Sequence, residues 1–158
     1  MNMSNDVLAQ LLAATEEVFE TMVFKPVSRQ DPIEDDKVRP PSNVVASVAF
    51  AGHRRGLVAF HSSIGAARNI AGAMLGMAPE DINGEMPDAI GEIANMIAGS
   101  FRTKLAATEP ASAIAVPTVT IGSDFSVKYL AQASRVLCPF NLEGESIYVE
   151  LILTGEPG

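Results

Sequence analysis

The sequence predicts an α+β sandwich in which a mostly antiparallel sheet carries helices packed on one face. Three observations carry that expectation. Apolar residues recur at helical spacing over residues 5–24, 63–75 and 86–107. Alternating, β-branched runs sit between and after those segments, near residues 44–60 and 130–154. The resulting order is helix, strands, two helices, strands. With 158 residues, 47% of them hydrophobic and 19% charged, the chain reads as one globular domain over residues 1–158 with a core of its own.

Each element has its own signals. In residues 5–24 the stripe is Leu8, Leu11, Leu12, Thr15, Val18, Phe19, Met22 and Val23, with Asn5 or Asp6 as the cap. Residues 25–43 break the pattern with Pro26, Asp31-Pro32, the acidic run Glu34-Asp35-Asp36 and Pro40-Pro41, and read as a long polar connection. Residues 44–50 alternate as a strand, 51–56 make a hairpin turn and 57–60 return. Ser62 or Ser63 caps the second helix, which Gly76 and Pro79 stop. Pro87 suits the first turn of the third helix, where a missing N–H costs little. Pro110 and Pro117 bound short extended pieces. The closing strands, 130–138 and 146–154, are joined by an Asn141-Leu142-Glu143-Gly144 turn.

Composition excludes several function classes. A net charge of −8 repels phosphate backbones and anionic lipid, so neither nucleic acid nor membrane is an expected partner. Apolar runs are broken before they reach bilayer length, and residues 1–12 have no signal-peptide pattern, so a cytoplasmic location is expected. Cys138 has no partner thiol and reads as a buried spectator. His53 and His61 have no second ligand at helical spacing, so no metal site is expected. No Ser/His/Asp arrangement or glycine-rich phosphate loop is readable.

The third helix carries the chemistry. At 3.6 residues per turn, Ile90, Ile93, Ile97, Phe101 and Leu105 gather on one face, and Asp88, Glu92, Asn95, Gly99 and Arg102 on the other. A merely solvated face favours Lys, Glu and Gln. Asn95 and Gly99 in mid-helix instead each weaken it by roughly 0.5–1 kcal/mol relative to alanine. Gly99 removes bulk, so that another surface can approach. A carboxamide at Asn95 does not titrate, yet both donates and accepts, so it can hold a water in line for attack. Glu92 stands beside it and can pair with a cation of a partner.

The pattern Asp88-x3-Glu92-x2-Asn95, followed by Pro117 at the start of an extended segment, resembles the signature helix of the CheC/CheX/FliY chemotaxis phosphatases. The likeness covers almost the whole chain, including the hairpin at Gly52 and Gly56, the second helix ending Ala73-Met74-Leu75-Gly76 and the closing strand pair. It implies a CheC-like pseudo-twofold fold and a hydrolase that removes the phosphoryl group from the aspartate of a CheY-type response regulator in two-component signalling. By the same resemblance Asn95 orients the attacking water and Glu92 meets a lysine of the regulator; Asp88 and Gly99, on the same face, are read as contacts to that partner. It implies no cofactor in this chain, a divalent cation (Mg2+) held by the regulator, and a homodimer. Asp6-x3-Gln10-x2-Ala13 runs parallel to the signature, with Phe19 against Phe101 and Thr21 against Thr103. Alanine cannot orient a water, so the first copy is expected to be inactive, an arrangement closer to CheX than to CheC. The alternative function is a non-catalytic module that docks a response regulator or a flagellar-switch-like partner through the same face.

Overall fold

The computed structural model of the protein describes residues 4–35, 37–107, 109–110, 112–123 and 133–154. Helix α1 (Asn5–Val18) continues into a π-helical turn (Phe19–Val23) that ends at Phe24 in the left-handed region, φ 62°. Strands β1 (Ser28–Arg29), β2 (Val44–Ala51) and β3 (Arg55–Ser62) precede α2 (Ile64–Leu75). A 3-10 turn (Pro79–Asp81) leads to α3 (Glu85–Leu105), and β4 (Ala113–Ile114), β5 (Thr118–Ile121), β6 (Ala133–Leu142) and β7 (Glu145–Thr154) follow.

The strands form one sheet in the order β1-β6-β7-β3-β2-β4, with β5 also paired to β2. Every pairing between named strands is antiparallel. Read from either edge, the order is a short strand, a long strand and its hairpin partner, which is the pseudo-twofold the repeated helices imply. Phe19 packs its ring on Phe60 of β3 (centroids 6.0 Å apart), and its counterpart Phe101 packs on Phe50 of β2 (6.3 Å).

Side chains alternate across each strand, so the sheet has two different faces. Val44, Ala46 and Val48 of β2, Val58 and Phe60 of β3, Val136 and Phe140 of β6, and Val149 and Leu151 of β7 join the apolar stripes of all three helices in one core cluster. Val45, Ala59, Leu137 and Ile152 point the other way and are nevertheless buried. The cover on that side is the 25–43 connection. Its Gln30 N–H donates to the Pro139 carbonyl (3.0 Å), and Ile33 exchanges both backbone bonds with Leu137 (2.7 and 2.9 Å). From this edge of β6 it crosses β7 and reaches β3, where the Ser42 hydroxyl meets His61 Nδ1 at 3.3 Å.

Beneath that strap lies a charged network that the sequence pattern did not disclose. His61 and Glu150 are each 3% exposed. His61 Nε2 meets Glu150 Oε1 at 3.0 Å, and Arg135 Nε donates to the other carboxylate oxygen. Both Nη atoms of Arg135 donate to strap carbonyls, those of Asp35 and Val38 (3.2 and 2.9 Å). Neighbouring strands β3, β7 and β6 thus each supply one residue to a clamp on the connection.

Several boundaries differ from the sequence reading. Ser4 caps α1, accepting from the Val7 N–H (3.3 Å), because its extended backbone aims Oγ at the first turn, whereas Asn5 and Asp6 are already inside the helix. Helical hydrogen bonding changes register at Phe19, whose carbonyl accepts from both Phe24 and Lys25, and Met22 turns outward as a result. The connection over 25–43 is no free loop but an edge strand and a strap. The last hairpin closes through two residues, Glu143 (φ 51°) and Gly144 (φ 86°), while Asn141 and Leu142 belong to β6. Ser63, not Ser62, caps α2, accepting from Ala66 N–H at 3.0 Å. The core-facing stripe of α3 is as anticipated: Ile90, Ile93, Ile97, Phe101 and Leu105 are all buried. Residues 130–132, Asp36 and the tail after Thr154 lie outside the described residues.

Burial pushes the Glu150 carboxyl up, but hydrogen bonds and charge from His61 and Arg135 outweigh it and hold the group below its ordinary 4.5. Its contribution to stability is therefore complete above about pH 4.5 and is lost as pH falls through the lower folded-state value. Acid unfolding followed by circular dichroism should show that loss below pH 4.5. Glu150→Gln should remove this part of the pH slope and cost about 3 kcal/mol at neutral pH, because Arg135 is left buried without its counter-charge.

Candidate functional site

Helix α3 is placed by its core stripe, and that placement determines what its other side presents. The chain enters it through Gly84, with the Asn83 N–H bound to Glu85 Oε2 (2.9 Å) and Pro87 in the first turn. The outward row then reads Asp88, Glu92, Asn95 and Gly99. Asp88 and Glu92 are exposed, and Asn95 and Gly99 are half-exposed. Among the described residues no side-chain hydrogen bond or ion pair holds Asp88, Glu92 or Asn95. A Cβ built on Gly99 would meet nothing within 4 Å. A carboxylate and a carboxamide, three residues apart, therefore face outward beside bare backbone. The fifth residue of that face, Arg102, is drawn sideways and donates to the Ser112 carbonyl (3.4 Å).

Two lateral contacts flank this row. On the α1 side Glu17 accepts from Lys104 Nζ (2.6 Å) and from the Ser100 hydroxyl (3.3 Å), so the two helices are pinned near their C-terminal ends. The hydrogen bond and charge of Lys104 hold the Glu17 carboxyl below its ordinary range. On the other side lies Gly91, whose built Cβ would stand 3.2 Å from Val119 Cγ2 and 3.8 Å from Pro117 Cγ. Glycine there lets β5 and the residue before it lie directly against the helix. Pro117 thus lies beside the residue immediately before Glu92.

The first half of the repeat is arranged differently. Gln10 and Ala13 are half-buried on α1, and among the described residues no hydrogen bond holds the Gln10 carboxamide. Beside them Arg29 of β1 grips Glu16 with two bonds, Nε to Oε2 (2.8 Å) and Nη2 to Oε1 (2.6 Å). The repeat survives in the threonines: Thr21 Oγ1 donates to the Glu17 carbonyl (2.8 Å) and Thr103 Oγ1 to the Gly99 carbonyl (3.0 Å). The amide–carboxylate pair exists once, on α3.

Asp88, Glu92, Asn95 and Gly99 are thus brought together on one open row. Gly91 and the Glu17–Lys104 pair were not singled out by sequence reasoning. A glycine directly before the glutamate, on the flank of a long helix, was the available signal for the first. Cys138 is buried, and burial pushes its thiol up to about 12, which leaves it without thiolate character at neutral pH. The line Ser42–His61–Glu150 lies on the far face of the sheet. Its carboxylate is shared with Arg135, and the group holds the strap. Among the described residues, no cluster of three or more His, Cys, Asp or Glu side chains is placed to hold a metal ion, and no helix is long and apolar enough to cross a membrane.

Because the space above Gly99 is empty, Gly99→Ala should stabilise the fold by about 1 kcal/mol through helix propensity alone, read from the urea midpoint at unchanged slope.

Against known proteins, the family described as chemotaxis phosphatase CheX matches residues 44–141, which include the whole outward row of α3. No curated protein matches the chain. Among solved structures, a CheC-like superfamily protein from Shewanella sp. PV-4 superposes with a TM-score of 0.88 at 22% identity, covering 97% of this chain and 100% of that one. Chemotaxis protein CheX from Vibrio vulnificus gives 0.85 at 25% identity over 94% and 99% of the two chains. The CheX–CheY–BeF3–Mg2+ complex from Borrelia burgdorferi gives 0.83 at 21% identity over 96% and 100%. With its antiparallel sheet, its helices on one face and a family match that spans more than half of its length, the chain belongs to the chemotaxis phosphatase CheX family.

Proposed function

We propose that this chain hydrolyses the aspartyl phosphate of a CheY-type response regulator, with Asn95 orienting the attacking water and Glu92 pairing with a lysine of the regulator. The observation that carries the reading is the unpartnered row itself: Glu92 and Asn95 point outward from a helix whose opposite face is locked in the core, with Gly99 leaving room for close approach. The family match and the fold shared with a CheX bound to CheY support it.

An acyl phosphate is already activated, so the reaction requires position more than acid–base strength. Water adds to phosphorus as the bond to the aspartyl oxygen breaks, leaving inorganic phosphate and the regulator's carboxylate. The Asn95 carbonyl oxygen accepts a hydrogen bond from that water and aligns its lone pair with the phosphorus. The carboxamide has no titrating proton to gain or lose in doing so. Glu92, one turn nearer the start of the helix, fixes register by meeting a cation, and so offsets the repulsion between an acidic protein and an acidic regulator pocket. Asp88 adds to that field and Gly99 admits the partner's surface. The divalent cation of the reaction belongs to the regulator, and this chain supplies no cofactor. The same reading has the chain act as a homodimer in the cell interior.

Asn95→Ala should slow dephosphorylation of a phosphorylated CheY-type receiver domain by on the order of 100-fold while leaving complex formation within about twofold. Glu92→Lys should act on docking and raise the half-saturating receiver concentration at least about tenfold. Both are read from loss of radiolabelled phosphate at increasing receiver concentration. Wild-type protein that binds the phosphorylated domain without shortening its lifetime would make this chain a docking module rather than a phosphatase.

A further inference from the structure

Val116 is 85% exposed, the most exposed large apolar side chain among the described residues. It does not hang on a loose loop. The Ala115 N–H before it donates to the Ala49 carbonyl of β2 (2.8 Å), and Pro117 after it packs on Gly91. The chain holds a β-branched hydrocarbon in water between two fixed points.

The location follows from the contacts on either side. The segment from Ser112 to Val119 runs beside α3 in the opposite direction. Pro117 and Val119 meet the helix at Gly91, while Ser112 and Ile114 share a cavity wall with Ala98 and Arg102. Asn95 stands one turn beyond Gly91 and one turn before Ala98 on this flank. Residues 115 and 116 thus fall between those two levels, near that of Asn95, and Val116 rises at the rim of the outward row.

The rim also differs in charge from what it borders. Residues 113–121, Ala-Ile-Ala-Val-Pro-Thr-Val-Thr-Ile, contain no ionisable side chain, although β5 is an exposed edge of the kind usually guarded by charge. Alongside them stand the exposed carboxylates of Asp88 and Glu92. An acidic row next to an uncharged, apolar rim is complementary to a surface that carries a cation beside an apolar depression.

We propose that Val116 is a docking and specificity residue of the α3 site, seating in an apolar depression of the receiver domain beside its aspartyl phosphate while Glu92 meets the cation there. This rests on the phosphatase reading given above. A receiver domain with a charged side chain in place of the depression is refused, because the rim offers nothing to pair with it.

The test measures phosphate release from a phosphorylated CheY-type receiver domain at increasing receiver concentration, with wild type, Val116→Ala, Val116→Asp and Val116→Thr. Val116→Ala should raise the half-saturating concentration roughly tenfold and Val116→Asp further, with maximal rates within about twofold of wild type. Should Val116→Asp fail to fold by thermal melting, Val116→Thr decides, since it keeps the shape and loses the apolar surface. Unchanged half-saturation, or a lower maximal rate at unchanged half-saturation, overturns the proposal. So does a change in the molar mass measured by light scattering, which would make the rim a contact between copies of this chain. If wild type never accelerates phosphate release, the phosphatase reading fails, and binding to the receiver domain treated with beryllium fluoride decides the rim separately: weaker binding by Val116→Asp supports it and equal binding refutes it.

Discussion

The burial of one apolar stripe on α3 is the constraint on which the rest depends. Ile90, Ile93, Ile97 and Phe101 leave the helix no freedom to rotate about its axis, because turning it would draw four large side chains out of a close-packed core. Each such side chain is worth about 1.5–3 kcal/mol when buried. That locked rotation is what makes Glu92 and Asn95 face outward, and it needs no partner to do so. A site that must enter another protein's pocket has to be rigid before contact, since ordering it on arrival would weaken the complex.

Two small lateral contacts flank the helix, one on each side. Glu17 and Lys104 tie α3 to its counterpart α1, and Gly91 lets Pro117 and Val119 approach on the other side. The two halves of the molecule diverge on these flanks. Where β5 leaves an uncharged rim and an open row beside α3, β1 delivers Arg29 onto Glu16 beside α1. A pseudo-twofold frame thus supports one outward amide–carboxylate pair and one flank closed by its own salt bridge. The frame is shared and the flanks are not.

The far face of the sheet shows a different economy. A strap that would otherwise be a long surface loop is held by backbone pairing at β6 and by carbonyls on Arg135, whose charge is balanced by Glu150 and backed by His61. Buried charge is costly in isolation, and here every member of the network has a partner. Val45, Ala59, Leu137 and Ile152 are buried on that side, so part of the sheet is covered on both faces although the helices pack on only one.

What could be read without coordinates was whatever has a local period or local punctuation. The stripe and the outward row of α3 follow from 3.6 residues per turn, and the hairpins from alternation broken by glycine. The acidic composition argued against nucleic acid and anionic lipid as partners. Beyond that the sequence was silent, for a physical reason. His61 and Glu150 are 89 residues apart, and Arg135 and Asp35 are 100 apart. Nothing local in either segment records that strand order will bring them together. The strap, the sealing of the first half by Arg29 and the placement of Val116 beside α3 all depend on which elements become neighbours. Tertiary structure alone decides that, because the hydrophobic pattern says which face of an element is buried and not what it is buried against.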